Sequence, residues 1–445
     1  MPGHKGKSFL GSEKLDITEI AGADSLYGAD GIILKSEKNA AKLFGTRKTL
    51  YSTEGSSQCI RAMLFLAKLN QNNKKRPVIV AARNAHKAFI TAAALLDFDI
   101  IWLYPENENY SLCKCEISAA VLEKTLISLK EPPCAVYITS PDYLGGTADI
   151  KSLAAAAHKF NTLLLVDNAH GAYLHFIKSD VHPMDCGADI CCDSAHKTLP
   201  VLTGGAYLHI AKNTNDLIAA NSRRALAMFG STSPSYLILQ SLDLANKYIA
   251  NGYSKKLTKT INKLNSLKSD IKKMGFTVEK SDPLKLTVNT AESGLSGTKF
   301  SQLLREKNIE IEYADPDFAV MMFTPENDEN DFEKTANAFS FVKDYLSENR
   351  AENEQEQHRS SAIKNIKTEP LERYCTVREA MLCASETVLV ENAVGRVAAS
   401  PAASCPPAVP IAVSGEIISE NTVEILKYYG FKTVEVMVTY PACAM

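Results

Sequence analysis

The sequence predicts an α/β protein whose large domain contains a mostly parallel β-sheet covered by helices on both faces. Short apolar runs alternate with helical patterns between residues 49 and 210. Each run is apolar along its whole length instead of at every second position, which is typical of strands buried on both faces. The chain has 445 residues, of which 45% are hydrophobic, so it can bury a large core.

Six of the apolar runs are predicted to be strands of this sheet, at residues 77–82, 99–104, 134–139, 162–167, 188–193 and 205–210. Segments with helical periodicity lie between them, most clearly at 86–96 and 150–160. Sheets of this kind bind ligands beyond the carboxyl ends of their strands. The residues that follow each apolar run are therefore the candidates for a functional site.

Changes in composition divide the chain into five predicted segments. These are an N-terminal arm (1–48), the large domain (49–273), a smaller α+β domain (274–350), a polar linker (351–373) and a C-terminal module (374–445). The end of the large domain is predicted to be helical, over most of 234–273. In the smaller domain we expect strands near 285–288, 309–313 and 320–323.

The charge balance argues against several classes of protein. Lys and Arg number 49 and Asp and Glu 51, so the net charge of -2 does not suggest a nucleic-acid-binding protein or a polybasic membrane attachment. No apolar run approaches the roughly 20 residues that cross a bilayer. The N-terminus lacks the apolar segment of a secretory signal. We expect a cytoplasmic protein that binds neither nucleic acid nor membrane.

The 11 cysteines favour neither a disulfide framework nor a metal site. An odd number leaves at least one thiol unpaired, and no C-x-x-C motif occurs. Zinc sites normally need that spacing, repeated or combined with histidines. We therefore expect free thiols in a reducing compartment and no bound metal.

A lysine lies just beyond one of the predicted strands. Lys197 belongs to the segment Asp193-Ser-Ala-His-Lys-Thr-Leu-Pro200 and has Ser194 and His196 beside it. Taken alone, it could be an ordinary surface lysine. A lysine among hydrogen-bond donors at a strand end is also what a Schiff-base aldehyde cofactor with a phosphate group requires.

Asp167 ends the predicted strand at 162–167. It could cap the next segment, as aspartate often does in this position. Alternatively, its carboxylate could face the ring nitrogen of a cofactor and make that ring an electron sink. Asp167 and Lys197 are about one strand–connection–strand unit apart in the sequence.

Two further segments lie at the same predicted edge. The turn Gly55-Ser56-Ser57 leads into a helical run, so it could be an ordinary helix cap or a phosphate site. His86 directly follows the strand at 77–82 and could lie against a cofactor ring or cap its own helix. Four such features in this order are much stronger evidence together than any one of them alone.

The combination resembles the ornithine/lysine/arginine decarboxylases, which are pyridoxal-phosphate-dependent enzymes with the aspartate-aminotransferase-like fold (fold type I). The matching motifs extend over nearly the whole chain: Pro2-Gly-His-Lys-Gly6, Asp24-Ser-Leu26, Gly31-Ile-Ile33, Ser140-Pro-Asp-Tyr-Leu-Gly-Gly146, Ser231-Thr-Ser-Pro-Ser-Tyr236, Ser241-Leu-Asp243, Pro406-Pro-Ala-Val-Pro410 and Gly415-Glu-Ile-Ile418. The chain is similar to a short form of this family without an N-terminal wing domain. Three positions depart from the usual residues of the family: Asn168 replaces an acid, Gly204 a glutamine and Gln58 a glycine.

The resemblance implies a role for each candidate residue. Lys197 would form a Schiff base with pyridoxal 5'-phosphate (PLP), Asp167 would pair with its pyridine nitrogen, and His86 would stack on its ring. His170 would line the pocket near the cofactor. The phosphate would be held by Gly55, Ser56, Ser57, Ser194 and His196 and, across the interface of a homodimer, by Thr232. For the cationic tail of a substrate, the candidate partners are Asp24 and Glu416.

The implied reaction is α-decarboxylation of a basic amino acid, which would be lysine, arginine or ornithine, to the corresponding di- or polyamine. The sequence does not distinguish these three substrates. Two alternatives stay open, namely another PLP reaction on the same fold (aldol cleavage or transamination) and a PLP-binding regulator without turnover.

Overall fold

The computed structural model describes residues 1, 3–71, 75–105, 111–349, 370–403 and 407–438. The strands of this part of the chain are β1 (Lys48–Ser52), β2 (Val78–Ala82), β3 (Asp99–Leu103), β4 (Ala135–Thr139), β5 (Leu163–Asp167), β6 (Ile190–Asp193), β7 (Ala206–Ile210), β8 (Thr277–Val278), β9 (Lys285–Asn289), β10 (Tyr313–Ala314), β11 (Phe318–Met322), β12 (Ser385–Leu389) and β13 (Thr433–Met437). Most of the predicted polar linker, residues 351–369, lies outside the described residues.

The α-helices of the described residues are α1 (Ile32–Leu43), α2 (Gly55–Gln71), α3 (Lys87–Leu96), α4 (Ala119–Ser128), α5 (Ile150–Lys159), α6 (Ala195–Thr198), α7 (Asp216–Ala227), α8 (Tyr236–Ala250), α9 (Tyr253–Lys273), α10 (Gly297–Glu306), α11 (Glu329–Glu348), α12 (Val377–Leu382) and α13 (Glu420–Tyr428). None of them combines the length and hydrophobicity that crossing a lipid bilayer requires.

The large sheet has seven strands in the order β1-β7-β6-β5-β4-β2-β3. Strands β3, β2, β4, β5 and β6 are parallel, while β7 runs antiparallel to both β6 and β1. The six predicted strands are all present, and the predicted fold class of a mostly parallel sheet is confirmed. The edge strand β1 was not predicted, because Lys48–Ser52 carries a lysine, two hydroxyl residues and a tyrosine around a single aliphatic residue.

Helices cover both faces of the large sheet because alternate side chains of each strand point to opposite faces. Ile79 of β2 and Leu165 of β5 pack in one core with residues of α2, α3 and α7. Their neighbours Val80 and Val166 pack in a second core with residues of α4 and α5. Full burial of one such side chain contributes roughly 1.5–3 kcal/mol. The two cores together fix the register in which the strand ends meet.

The predicted helical stretch after residue 234 is two helices instead of one. Gly252 separates α8 from α9 with a φ of 86°, a left-handed conformation that favours glycine. The strand predicted at 309–313 was wrong over most of its length, since only Tyr313 and Ala314 pair with β11. The small antiparallel sheet, in the order β10-β11-β9-β8, packs against α9, α10 and α11.

The C-terminal residues pack on the large domain through apolar side chains, including Val377 and Val413, and through polar contacts. Strands β12 and β13 pair with each other and share a core with residues of α13. Arg378 of α12 donates hydrogen bonds to the carbonyls of Ala94 and Leu95 at the end of α3. Both carbonyls lie in the last turn of α3, where helix carbonyls lack their usual partners within the helix.

Candidate active site

Lys197 and His170 meet at the carboxyl edge of the large sheet. The short helix α6 begins two residues after β6 and carries Lys197, whose Nζ lies 2.9 Å from Nε2 of His170. The ring of Tyr143 packs edge-on against His170, with 4.8 Å between centroids, and Lys197 Nζ lies 5.6 Å from the same ring. The lysine is therefore held in a partly buried pocket and is not a surface lysine.

His170 is a neutral acceptor in this contact. Burial lowers its pKa well below the usual value for histidine, and the neighbouring positive charges of Lys197 and Lys285 lower it further. A lysine ammonium can only donate, so Nε2 accepts and Nδ1 carries the hydrogen. Among the described residues, the buried Nδ1 has no hydrogen-bond partner.

Asp167 ends β5 and is almost fully buried. The hydroxyl of Tyr137 donates to its Oδ2 at 3.0 Å, and the amide of Ala169 donates to Oδ1 at 3.2 Å. The thiol of Cys192 also lies 3.7 Å from Oδ1. The carboxylate thus has a defined orientation among donors from two neighbouring strands and its own turn.

His86 takes one of the two roles that its sequence context allowed, and stacking on a cofactor ring stays a prediction. Its Nδ1 accepts a hydrogen bond from the amide of Ala88 at 3.0 Å, so it caps α3. Burial lowers the pKa of His86, Asp167 opposes this shift, and Lys197 adds to it. Since both charges act on the ring, His86 lies in the same site as Asp167 and Lys197.

The Gly55–Ser57 turn forms the N-terminus of the 17-residue helix α2. The amide of Gly55 donates to the carbonyl of Gly204 at 2.7 Å, and Ser194 Oγ donates to Ser56 Oγ at 2.9 Å. Ser194 directly precedes α6, so this contact joins the start of α2 to the helix that carries Lys197. Free amides at the start of a long helix, together with hydroxyl groups, favour an anion such as a phosphate.

Comparisons with known proteins identify the family of the chain. Residues 4–281 match the family model described as Orn/Lys/Arg decarboxylase, major domain, and residues 355–441 match the model of the C-terminal domain. The chain belongs to the Orn/Lys/Arg decarboxylase family. The resemblance predicted from the motifs is confirmed, and this membership places the chain among the PLP-dependent amino-acid decarboxylases.

Relatives of similar length support the same family. An arginine decarboxylase of Bacillus subtilis is 30% identical over 98% of this chain and 90% of its own length. An arginine decarboxylase of Halalkalibacterium halodurans is 28% identical over 96% and 89%. The solved E. coli constitutive lysine decarboxylase superimposes with a TM-score of 0.78 at 18% identity, covering 98% of this chain and 79% of that one. At this identity, the superposition shows the fold alone.

Two departures from the usual family residues, Gly204 and Gln58, have structural reasons. Gly204 has a φ of 96°, and a Cβ there would lie 2.8 Å from the carbonyl oxygen of Thr53. Gln58 is fully buried, accepts from Ser52 Oγ at 2.6 Å and donates to Tyr27 Oη at 2.7 Å and to a backbone carbonyl of α7. Both residues therefore fix the shape of the turn that carries Gly55.

His196 and Thr232, two predicted phosphate ligands, are arranged differently from each other. Nδ1 of His196 lies 3.0 Å from the carbonyl oxygen of Gly205, to which it donates, so Nε2 is the nitrogen left for a ligand. Thr232 is exposed, and the amide of its neighbour Ser231 donates to Glu54 of the same chain. A contact of Thr232 with a second subunit stays a prediction.

The two acids predicted to meet a substrate both have partners within the chain. Asp24 accepts hydrogen bonds from backbone amides at the start of α1, including those of Gly31 and Ile33 at 2.9 Å. Glu416 is buried, 3.4 Å from Arg83, and accepts from the amide of Val413 at 2.7 Å. These contacts explain both residues as parts of the fold.

Sequence reasoning did not select Tyr137 and Tyr143, although each contacts a predicted site residue. Tyr137 lies inside a predicted strand, and its side chain was indistinguishable from an ordinary core residue. Tyr143 belongs to the quoted Ser140–Gly146 motif, which was the available signal. Beside this turn, a cavity of about 400 Å³ is lined by residues that include Asn84, Thr139 and Asp142.

Proposed function

We propose that this protein removes the α-carboxylate of a basic amino acid, lysine, arginine or ornithine, with PLP bound to Lys197 as its cofactor. The observation that carries the proposal is the 2.9 Å contact between Lys197 Nζ and His170 Nε2 at the carboxyl edge of the sheet, the edge at which β5 ends in the buried Asp167 carboxylate. The names of the relatives, arginine and lysine decarboxylases, support the choice of a basic substrate.

The residues at the sheet edge fit the chemical groups of PLP. Lys197 offers an amine for the aldehyde, and Asp167 offers a carboxylate for the pyridine nitrogen. The turn at Gly55, with Ser56 and Ser194, offers donors for the phosphate. A Cβ placed on Gly55 would meet nothing within 4 Å, so this turn has open space on its outer side.

When it is bound, PLP supplies an electron sink that weakens the bond between the α-carbon and its carboxylate. The protein contributes position and charge. Tyr137 and the Ala169 amide hold the Asp167 carboxylate in one orientation. Charge-assisted hydrogen bonds of this kind are worth about 1.5–3 kcal/mol each.

The contact between Lys197 and His170 orients the amine. Burial and the charge of Lys197 hold the pKa of His170 well below its usual value, so the imidazole stays neutral and its Nε2 can accept from Lys197 Nζ. Tyr143 covers this pair and packs on Tyr313 of the small sheet with 5.2 Å between ring centroids. The two rings exclude water from one side of the pocket.

The test is cofactor binding and product formation with Lys197→Ala. Wild-type protein mixed with PLP should acquire the visible absorption of a lysine-bound cofactor and release carbon dioxide from at least one of arginine, lysine and ornithine. The variant should lose both. Lys212→Ala, at an exposed lysine after β7, is the matched control and should keep both.

The products separate the alternatives. Carbon dioxide and an amine in equal amounts support the proposal. Cofactor-loaded wild-type protein that instead gives glycine or a keto acid, or that acts on none of the three amino acids between pH 5 and 9, would overturn it.

A further inference from the structure

A buried cluster of polar side chains lies at the end of β6, just before the helix α6 that carries Lys197. Asp193 ends β6, is fully buried and accepts hydrogen bonds from three side chains. Asn168 Nδ2 donates to its Oδ1 at 2.6 Å. Nε2 of His182 and Nε2 of His209 each donate to Oδ2 at 3.1 Å. A carboxylate buried this deeply is stable as an anion only when donors surround it in this way.

The histidine tautomers follow from their outer partners. Nδ1 of His182 accepts from the amide of Met184 at 3.3 Å, so its Nε2 carries the hydrogen. Nδ1 of His209 lies 2.8 Å from the hydroxyl of Thr49, which can donate to it. Cys191 Sγ lies with these groups within 4.8 Å, but a protonated Nε2 has no lone pair for a metal ion. The cluster is therefore not a metal site. It is a buried Asp193 carboxylate whose charge is stabilised by hydrogen bonds from the protein.

The contact between Asn168 and Asp193 connects the segment that carries Asp167 with the segment that carries Lys197. Asn168 directly follows Asp167, and Asp193 lies at the base of the turn that carries Lys197. The backbone supports the same connection, because the amide of Asn168 donates to the carbonyl of Cys192 at 3.0 Å. Asn168 has little room to move, since a Cβ on Gly171 would lie 2.0 Å from its Oδ1.

The charge of Asp193 determines the direction of this hydrogen bond. An ionised carboxylate at 193 has only acceptors, so residue 168 must donate. An acid at position 168, which the resemblance to the family implies, would place two buried carboxylates against each other in this chain. Asparagine at 168 avoids that repulsion and supplies the donor.

We propose that Asn168 and Asp193 are a matched pair of positioning residues that fixes Asp167 relative to Lys197. Their roles as hydrogen-bond donor and acceptor can be exchanged. In the exchanged pair, an amide at position 193 would donate from its nitrogen to a carboxylate at position 168 and accept from both histidines at its oxygen. Every donor of the cluster would keep an acceptor. The inference rests on the proposed function, because it assumes that Asp167 and Lys197 bind PLP.

The other titratable groups around the pair are Cys59 of α2, Cys191 and Cys192 of β6, Tyr207 of β7, Asp167 of β5 and His175, whose ring packs on His182. Burial raises the pKa of the three thiols and of the Tyr207 hydroxyl, so these four stay neutral. Burial lowers the pKa of His209, although Asp193 opposes that shift, and this keeps its imidazole a neutral donor.

The experiment measures the PLP dissociation constant of the full chain from the visible absorption, between pH 6 and 8.5. Asn168→Asp should weaken PLP binding at least tenfold at pH 8.5, and the loss should shrink toward pH 6, where one of the two acids can take up a proton. Asn168→Asp combined with Asp193→Asn should recover at least half of the lost affinity on a logarithmic scale.

Asn246→Asp is the matched control for a new buried acid outside the site. Asn246 is buried in α8 and donates to Ser36 and Tyr51, so its variant should lose thermal stability yet bind PLP as tightly as the wild type. If Asn168→Asp binds PLP with unchanged affinity, or if the exchanged pair binds no better than the single variant, the matched pair is refuted. A wild type without PLP binding would refute the proposed function itself.

Discussion

The hydroxyl of Tyr137 donates a hydrogen bond of 3.0 Å to Oδ2 of Asp167, so a residue inside β4 orients the carboxylate at the end of β5. Tyr137 is fully buried, and its ring packs on Phe89 of α3 with 4.3 Å between centroids. The ring belongs to the core and the hydroxyl belongs to the site. The two contributions can therefore be separated by removing the hydroxyl alone.

Tyr137→Phe should weaken PLP binding by about tenfold or more, since a hydrogen bond to a charged group is worth about 1.5–3 kcal/mol. The packing of the ring should be kept, so the free energy of unfolding should fall only by about the value of the lost hydrogen bond. Titration of the variant with PLP, followed by absorption, measures the effect. Tyr428→Phe is the matched control, because it removes a similar hydroxyl from Asp317, far along the chain from the site residues. Equal affinity in Tyr137→Phe and wild type would contradict the role of the hydroxyl.

Gly204→Ala should lower both stability and PLP affinity. The φ of 96° is unfavourable for alanine, and the new Cβ would lie 2.8 Å from the carbonyl oxygen of Thr53. Strain of this kind costs about 1–3 kcal/mol. The displaced carbonyl of Gly204 would also weaken its 2.7 Å hydrogen bond with the Gly55 amide, and so loosen the turn.

Gly275→Ala separates these two effects. Gly275 has a φ of 102°, but a Cβ there meets nothing within 4 Å. This variant should lose stability through backbone strain and keep its PLP affinity, as measured by thermal unfolding and absorption titration. If both glycine variants lose affinity to the same extent, the contact of Gly204 with the turn has no specific role.

The sequence predicted the large sheet because its signals are local. A strand buried on both faces must be apolar throughout, so β4 and β5 are visible as continuous runs. Strand β1 carries no such signal because its residues are mostly polar, and strand β10 has only two residues. The position of Gly252 explains the split between α8 and α9 only once its left-handed φ is known.

The candidate site was predicted from strand ends and motifs, which located Lys197, Asp167, His86 and His170 at one edge. The residues that orient them were not predicted. Tyr137, Gln58 and Asp193 act through contacts between segments that are distant in the sequence, and their own neighbours give no indication of this. Asp24 and Glu416 have contacts that their sequence context does not show, since Asp24 accepts from backbone amides and Glu416 pairs with the buried Arg83.

His170→Gln should reduce the loss of stability at acid pH. Burial and Lys197 depress the pKa of His170 in the folded protein below 6.5, so the unfolded chain takes up a proton more readily. The resulting contribution to stability is fully present above pH 6.5 and is lost as the pH falls toward the depressed value. Glutamine does not titrate, so the difference in the free energy of unfolding between pH 7.5 and pH 5 should be smaller in the variant.

Denaturant unfolding at the two pH values measures this difference. His158→Gln is the comparison, since His158 lies exposed at the end of α5 and its substitution leaves the buried site intact. An unchanged pH dependence in His170→Gln would show that His170 is not the group that resists protonation.

Lys285→Met should destabilise the protein strongly, because Lys285 is a fully buried cation that joins the small sheet to the large one. Its Nζ lies 3.3 Å from Asp282 and donates to the carbonyl of Asp142, in the turn after β4, at 2.9 Å. Removing one partner of a buried ion pair costs about 3–5 kcal/mol. Lys114→Met breaks the partly exposed pair with Glu279 and should cost about 1 kcal/mol or less.

The same substitution has an effect at the active site that a loss of stability alone would not produce. The charge of Lys285 helps to lower the pKa of His170, so this pKa should rise in Lys285→Met. The pH below which PLP-loaded protein loses activity should then move upward, because a proton on His170 places a second cation against Lys197. Lys114→Met should leave that pH unchanged. A variant that is less stable but has the wild-type pH profile would mean that the charge of Lys285 does not reach His170.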